Sequence, residues 1–215
     1  MTVYPVGLSR DLGKGRVMRA DVGDADVAVW RDLQGGLHAW HNRCPHRGMR
    51  LSHGFVRGDR LACLYHGWQF GKDGGCAYIP AHPELEPPQT IHTQVYSAWE
   101  GCGVIWASLQ ENAQTCGEVK ITAPVRSMTF ASDVAATERS LKSTPFAQSL
   151  PKVLADGSCD LGGRLVRWRI NPVGAAETMV HLLCASDADT AQRRQLSRWL
   201  EAARRKALTP DKVMA

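Results

Sequence analysis

The chain has 215 residues, of which 44% are hydrophobic, so it is long enough for one generous domain or two small ones with a real core. This composition excludes disorder for most of the chain. The formal net charge is +5, and much of the positive excess falls between Arg193 and Lys206. That run shows neither interleaved exposed aromatics nor a known nucleic-acid-binding motif, so we expect the solvated face of a helix and no nucleic-acid partner.

The absence of recognisable targeting signals and the cysteine usage predict a cytoplasmic protein without a membrane segment. The residues from Met1 to Arg10 lack the basic region and apolar stretch of a signal peptide, and no segment approaches about 18 uninterrupted apolar residues. The cysteines number seven, which is odd for a disulfide framework. We therefore expect thiols that serve as metal ligands or core residues in a reducing compartment, rather than disulfides.

Short apolar runs broken by Gly, Asp and Pro extend from Tyr4 to about Leu109, and their spacing predicts antiparallel strands. The clearest strand candidates are Asp26–Arg31, Leu37–His41 and Gly103–Ala107. The stretch Ala81–Thr90 contains three prolines and is predicted to be a surface loop.

The sequence changes character after residue 110, where a polar connector leads into a second unit. The strand candidates of this unit are Ser127–Asp133, Arg164–Asn171 and Glu177–Cys184. Between about Asp187 and Leu208, apolar residues recur at helical spacing with arginines opposite, which predicts a terminal amphipathic helix packed on the strands. These apolar residues are Leu196, Trp199, Leu200 and Ala203.

The predicted fold is mainly β (α+β). We expect an antiparallel β-domain at residues 1–110 with two metal-binding loops, followed by a short unit at residues 111–215 that combines a β-sheet with a C-terminal helix.

The most informative motifs are Cys-x-His at Cys44 and His46 and Cys-x-x-His at Cys63 and His66, with sixteen residues between them. Two short loops that each present one thiolate and one imidazole can hold a compact metal centre from two sides. A set of two cysteines and two histidines also suits tetrahedral zinc, so the ligand count alone leaves the metal open.

The residues around these motifs resemble the Rieske family, and a zinc site has no need of them. The resemblance is carried by Pro45, Arg47-Gly48, Leu51-Ser52, Gly54, Tyr65-His66-Gly67-Trp68 and Phe70. It implies a [2Fe–2S] cluster with Cys44 and Cys63 on the buried iron and His46 and His66 on the outer iron, an arrangement that raises the reduction potential. It further implies tight turns or close backbone approach at Gly48, Gly54 and Gly67, with Trp68 and Phe70 shielding the cluster.

The residues at two positions distinguish between the types of Rieske protein. Met49 and Tyr65 stand where the respiratory and photosynthetic type carries two disulfide-bonded cysteines. The chain is instead similar to soluble Rieske ferredoxins and bacterial Rieske oxygenases, and most similar to vanillate demethylase-like subunits through Tyr65–Trp68, Phe70, Gly74 and Ile79-Pro80.

A complete oxygenase subunit of that family has a second domain with a mononuclear iron bound by two histidines and a carboxylate. Past residue 92 the chain contains only His181, which cannot supply that triad by itself. We expect His181 to be a hydrogen-bonded strand residue and residues 111–215 to be a shortened remnant of the catalytic domain. No ligand role is expected for the other histidines or for Cys76, Cys102, Cys116, Cys159 and Cys184.

The resemblance therefore implies an oxidoreductase component for electron transfer, with no catalytic residue of its own. A flavin-dependent or ferredoxin-type reductase would be the electron donor and an oxygenase subunit the acceptor, within an assembly of different chains. One alternative is an oxygenase, a demethylase or hydroxylase, that acts directly on an aromatic or similar small substrate with an unrecognised or shared iron site. Another is a subunit with a purely structural zinc or cluster. The missing histidines favour electron transfer.

Overall fold

The computed structural model describes residues 2–110 and 121–208, which divide into two compact units. The first unit holds the described residues up to 101 together with 105–110, and the second holds 102–104 and 121–208. The boundary expected at residue 110 stays a prediction, because residues 111–120 lie outside the described part. None of the described helices is long and apolar enough to cross a membrane.

Ten strands form two sheets in the first unit. In chain order they are β1 (Tyr4–Leu8), β2 (Arg16–Val22), β3 (Ala25–Arg31), β4 (Leu37–His41), β5 (Phe55–Arg57), β6 (Arg60–Ala62), β7 (Gln69–Phe70), β8 (Cys76–Tyr78), β9 (Val95–Gly101) and β10 (Val104–Ser108). The larger sheet has the order β1-β10-β9-β4-β3-β2, and the smaller one has the order β5-β6-β7-β8. The antiparallel architecture predicted for this part of the chain is confirmed, and Ala81–Thr90 contains neither a strand nor a helix.

Strand β3 explains how the larger sheet buries both of its faces. Because successive side chains of a strand point to opposite faces, Val27 and Val29 join one hydrophobic cluster, whereas Ala28 and Trp30 join another. The second cluster also contains Cys44 and side chains of the smaller sheet, so the two sheets share a core next to the metal-binding motifs.

A buried carboxylate ties together the turns at the end of this unit opposite the motifs. Asp32 is 1% exposed and accepts hydrogen bonds from the backbone N–H groups of Gly35 and Gly36, at 2.7 and 2.8 Å. Its other oxygen lies 3.1 Å from His38 Nε2 and 3.0 Å from Lys72 Nζ. Burial opposes ionisation of Asp32, but these donors outweigh it and hold the pKa below its usual range. The turn between β3 and β4 is thereby fixed to the turn between β7 and β8.

The second unit combines five strands with two helices. In chain order these are β11 (Ala123–Phe130), α1 (Val134–Ser143), β12 (Lys152–Val153), β13 (Cys159–Asp160), β14 (Leu165–Pro172), β15 (Thr178–Cys184) and α2 (Thr190–Leu208). The sheet order is β11-β15-β14-β13-β12. The three strands and the terminal helix predicted from the sequence are confirmed, with ends that differ by a few residues.

Helix α1 is not among the elements predicted from the sequence, because the helix contains few apolar residues. Its buried residues are Thr137, Ser140 and Leu141, so only one large apolar side chain marks the buried face. The signal that could have located it is Asp133, whose carboxylate accepts a hydrogen bond from the Ala136 N–H at 2.7 Å as the N-cap of the helix.

Helix α2 is anchored by Trp199, as predicted. The indole is 4% exposed, its Nε1 donates to the Thr144 carbonyl at 3.0 Å, and its ring lies 6.0 Å from that of Trp168. The residue therefore joins the last helix both to the segment after α1 and to the sheet.

Replacing Trp199 by Ala is expected to lower the free energy of unfolding of this unit by about 3–5 kcal/mol, because it leaves a cavity and an unsatisfied carbonyl. Urea denaturation followed by helical circular dichroism measures this, since both described helices belong to the second unit. The exposed Arg194 lies on the same helix, and its replacement by Ala should change stability by less than about 0.5 kcal/mol. Equal midpoints for the two variants would show that the indole does not anchor the helix.

Candidate metal centre

The two predicted motifs lie on neighbouring loops that connect strands of the two sheets. The first loop connects β4 to β5 and the second connects β6 to β7. Asn42, fully buried at the start of the first loop, donates from Nδ2 to Asp26 and to the Ser52 hydroxyl at 2.8 and 2.9 Å and accepts from the Ser52 N–H at 2.7 Å. This side chain fixes both ends of the first loop to strand β3.

The two loops repeat the same backbone turn. The Cys44 N–H donates to the Met49 carbonyl and the Gly48 N–H donates to the Cys44 carbonyl, both at 2.8 Å. In the second loop, the Cys63 N–H donates to Trp68 at 2.8 Å and the Gly67 N–H donates to Cys63 at 3.0 Å.

The two glycines make this turn possible. Gly48 has φ 69° and Gly67 has φ 70°, in the left-handed region that glycine adopts without strain. The tight turns expected at these positions are therefore present. Gly54 serves differently, since a Cβ there would lie 2.2 Å from the Ala62 carbonyl oxygen. It permits the close backbone approach that was expected.

The two thiols lie inside the core near each other. Cys44 is 3% exposed and Cys63 is 2% exposed, and Cys63 is close enough to Cys44 to disfavour its ionisation. Burial raises the pKa of the Cys44 thiol, and the neighbouring Cys63 raises it further, whereas the backbone N–H groups of His46 and Arg47 point at the sulfur and oppose that rise. The surrounding cluster consists of Ala28, Trp30, Trp40, Leu51, Leu61 and Phe70.

The two imidazoles lie together on the outer side of the thiols. The rings of His46 and His66 have centroids 4.7 Å apart. His46 stacks on Trp68 at 4.1 Å with an interplanar angle of 4°, and His66 stacks on Tyr65 at 3.9 Å and 26°. His66 is exposed and His46 is half-buried. Each imidazole is therefore held in orientation by an aromatic ring.

One nitrogen of His46 has no visible partner. Its Nδ1 is buried and accepts or donates no hydrogen bond within the described part of the chain. Desolvation, together with the nearby His66 and Arg47, lowers the pKa of His46 and so favours the neutral imidazole. A buried neutral nitrogen without a hydrogen-bond partner is a donor atom suited to a metal.

Positive charge surrounds the first loop. Arg43 and Arg47 are both exposed, and Arg43 donates to the Gly48 carbonyl at 3.1 Å. The charge of Arg50 is compensated by Asp26, at 3.1 Å. Asp26 also pairs with Arg19 at 2.9 Å.

The structure thus brings together the four side chains that the sequence singled out. Trp68 and Phe70 lie beside them as expected, but Trp30 and Trp40 in the same core were not assigned to the site. Their indoles pack edge to face at 4.9 Å. Both lie within predicted strands, and nothing in the strand pattern indicated which of the two faces of the sheet each would occupy.

His181 was expected to have no ligand role. His181 is buried on β15, with its Nδ1 2.9 Å from the Ser127 hydroxyl, which agrees with the expected strand histidine. Within residues 2–110 and 121–208, no group of three or more His, Cys, Asp or Glu side chains is placed around a single metal ion. A binuclear cluster with two protein ligands on each iron needs no such group. The free thiols among the described residues are Cys44, Cys63, Cys76, Cys159 and Cys184.

Cys102 corrects one expectation. It is disulfide-bonded, whereas the odd cysteine count and the lack of an export signal predicted thiols throughout. Spacing could not reveal this bond, because disulfide formation depends on the approach of Cα atoms in the folded chain. Cys116, for which no chemistry was expected, lies outside the described residues.

Comparison with known proteins shows a family model that covers both loops. The family model for the Rieske [2Fe-2S] domain matches residues 2–96. Oxidoreductase NdmD of Pseudomonas putida is 40% identical over 107 residues, which are 49% of this chain and 18% of that protein. A 4beta-methylsterol monooxygenase of Methylococcus capsulatus is also 40% identical over 107 residues, 48% of this chain and 28% of that protein. The chain therefore spans less than a third of either relative.

Similar folds extend further along the chain than similar sequences. The structure of NdmA from Pseudomonas putida CBB5 matches 99% of this chain and 84% of its own, with a TM-score of 0.71 and 18% identity. Dicamba monooxygenase bound to dicamba matches 94% of this chain and 84% of its own, with a TM-score of 0.73 and 14% identity. At these identities the likeness concerns the fold alone, and it includes the second unit.

Two glycines with similar φ values, one inside the second loop and one outside both loops, allow a test of whether the turn at Gly67 organises the metal centre. Replacing Gly67 or Gly58 by Ala imposes a left-handed residue at φ 70° or 64°, at a cost of about 1–2 kcal/mol. A Cβ at Gly67 would also press on Pro80 at 3.1 Å, whereas none lies within 4 Å at Gly58. We expect Gly67→Ala to lose bound iron, measured per chain, and Gly58→Ala to retain it. Equal iron contents would show that the turn does not organise the metal centre.

Proposed function

We propose that this protein, whose residues 2–96 are a Rieske [2Fe–2S] domain, holds its cluster through Cys44, His46, Cys63 and His66 and transfers single electrons in a Rieske oxygenase system. The observation that carries the proposal is the pairing of the four side chains, with two neighbouring buried thiols and two imidazoles whose centroids lie 4.7 Å apart outside them.

The residues fit the cluster in three respects. The thiols supply soft sulfur donors inside the core, as iron–sulfur clusters require. The unpartnered Nδ1 of His46 is a nitrogen ready to bind iron. The backbone N–H groups of His46 and Arg47 point at the Cys44 sulfur and stabilise negative charge there.

The surrounding residues support an electron-transfer role. A bound Rieske cluster takes up and releases one electron, at a potential of about −150 to +300 mV. The core around Cys44 and Cys63 keeps water from the sulfurs. The exposed imidazole of His66 brings the outer side of the centre to the surface, where a partner can approach closely.

The system in which the protein works is part of the proposal. We infer a flavin-dependent or ferredoxin-type reductase as donor, an oxygenase subunit as acceptor, an assembly of different chains and a cytoplasmic location. We further propose that the second unit, whose fold is similar to part of the NdmA structure, is a shortened catalytic domain. The alternative, a chain that itself oxygenates a substrate, is not favoured, because His181 is the only histidine past residue 92 and already pairs with the Ser127 hydroxyl, whereas a mononuclear iron site of this kind needs two histidines.

Replacing Cys63 by Ser tests the ligand assignment. We expect the variant to lose iron, acid-labile sulfide and visible colour, because a cluster deprived of one thiolate is not retained. Native protein should contain two irons and two sulfides per chain, measured by metal analysis and sulfide titration after anaerobic purification.

The matched control is Cys76→Ser, a free and half-buried cysteine packed against the same core. It should keep the full complement of iron and sulfide. Colourless native protein with bound zinc would contradict the proposal, and so would a Cys63→Ser variant that retains its full colour.

A further inference from the structure

We propose that the tip of the second loop and the arginines of the first form a docking surface for an acidic redox protein. The surface consists of Leu64, Tyr65, Arg43 and Arg47, and is called here the exit surface. The inference rests on the proposed function, since it names the kind of partner that exchanges electrons at His66.

The apolar part of the exit surface is open to solvent. Leu64 is 57% exposed and Tyr65 is 56% exposed, although they directly precede His66 and follow the buried Cys63. The turn of this loop is fixed by backbone hydrogen bonds and by Gly67, so the fold does not require large apolar side chains at these two positions. Adjacent exposed apolar residues next to a functional centre indicate a contact surface.

Tyr65 connects this surface to the metal centre. Its ring stacks on the His66 imidazole at 3.9 Å, while more than half of the residue is open to solvent. A partner that covers Tyr65 therefore lies against a ring that touches a proposed iron ligand. The stacked pair gives an electron a path of direct contacts from the centre to the partner.

The charged residues of the exit surface, Arg43 and Arg47, are both positive. Within the described residues, no carboxylate forms an ion pair with Arg43 or Arg47, whereas Arg50 is neutralised by Asp26. Arg47 directly follows His46 in the chain and is exposed. Two unpaired arginines thus flank the histidine pair on the side of the first loop.

This combination favours a partner with an apolar centre and a rim of carboxylates. Complementary charge speeds encounter and orients the partner, and its effect falls as salt screens it. A small apolar contact with a charged rim is typical of transient electron-transfer complexes, in which fast release matters more than affinity.

The chain offers matched controls at the end of the first unit opposite the loops. Arg16 is exposed and pairs in register with Arg31, at the end of β3 away from the first loop. Leu33 is 53% exposed in the turn that follows β3. Arg47→Glu and Arg16→Glu change the net charge equally, and Leu64→Ser and Leu33→Ser remove equal apolar side chains.

The experiment measures single-electron transfer by stopped-flow absorbance with two protein probes of opposite charge. An acidic plant-type ferredoxin reduces the oxidised holoprotein, and basic cytochrome c oxidises the reduced holoprotein. At low salt, we expect Arg47→Glu to slow the reaction with ferredoxin about three- to tenfold and to speed the reaction with cytochrome c. Leu64→Ser should slow the reaction with ferredoxin by a similar factor. High salt should remove the effect of Arg47→Glu.

Arg16→Glu and Leu33→Ser should each change these rates less than twofold. Equal effects of Arg47→Glu and Arg16→Glu would overturn the docking surface, because net charge alone would then account for the rates. Unchanged rates in Leu64→Ser would overturn its apolar part. These variants replace exposed or half-exposed side chains and should keep the visible spectrum of the cluster, so a missing spectrum in the native chain would instead refute the proposed function.

Discussion

The proximity of two cysteine thiols inside one hydrophobic core is the constraint on which the rest of this structure depends. Cys44 and Cys63 come from loops that leave different sheets, and they meet only because those sheets share one core. Burial penalises a thiolate there, as the raised pKa of Cys44 shows. Thiolates at these positions are therefore disfavoured in the metal-free protein, and they become favourable once a metal takes up the negative charge.

The same arrangement divides the site into an inner and an outer half. The sulfurs lie in the core, whereas the imidazoles lie between the core and the solvent and are oriented by Trp68 and Tyr65. In our account the inner half retains the cluster and the outer half exchanges electrons. The surface charge and the exposed apolar residues are found around that outer half, which is where a partner must approach.

The sequence predicted the features that depend on residue type and short spacing. The ligand candidates and three strands of the larger sheet follow from local chemistry and periodicity, and the turns at Gly48 and Gly67 follow from the family resemblance. Features that depend on distant contacts were missed. Helix α1 has too few apolar residues to show a period, and the hydrogen bonds to Asp32 join residues from two separate turns. The Cys102 disulfide also needs the folded chain to be recognised.

Mössbauer spectroscopy of the ⁵⁷Fe-enriched, reduced holoprotein resolves the ligand environment of each iron and so tests directly whether two cysteines and two histidines hold a [2Fe–2S] cluster. We expect two irons in equal amounts, a ferric iron with sulfur ligands alone and a ferrous iron with two nitrogen ligands. Two irons that both have only sulfur ligands, or a single mononuclear iron, would contradict the assignment of Cys44, Cys63, His46 and His66.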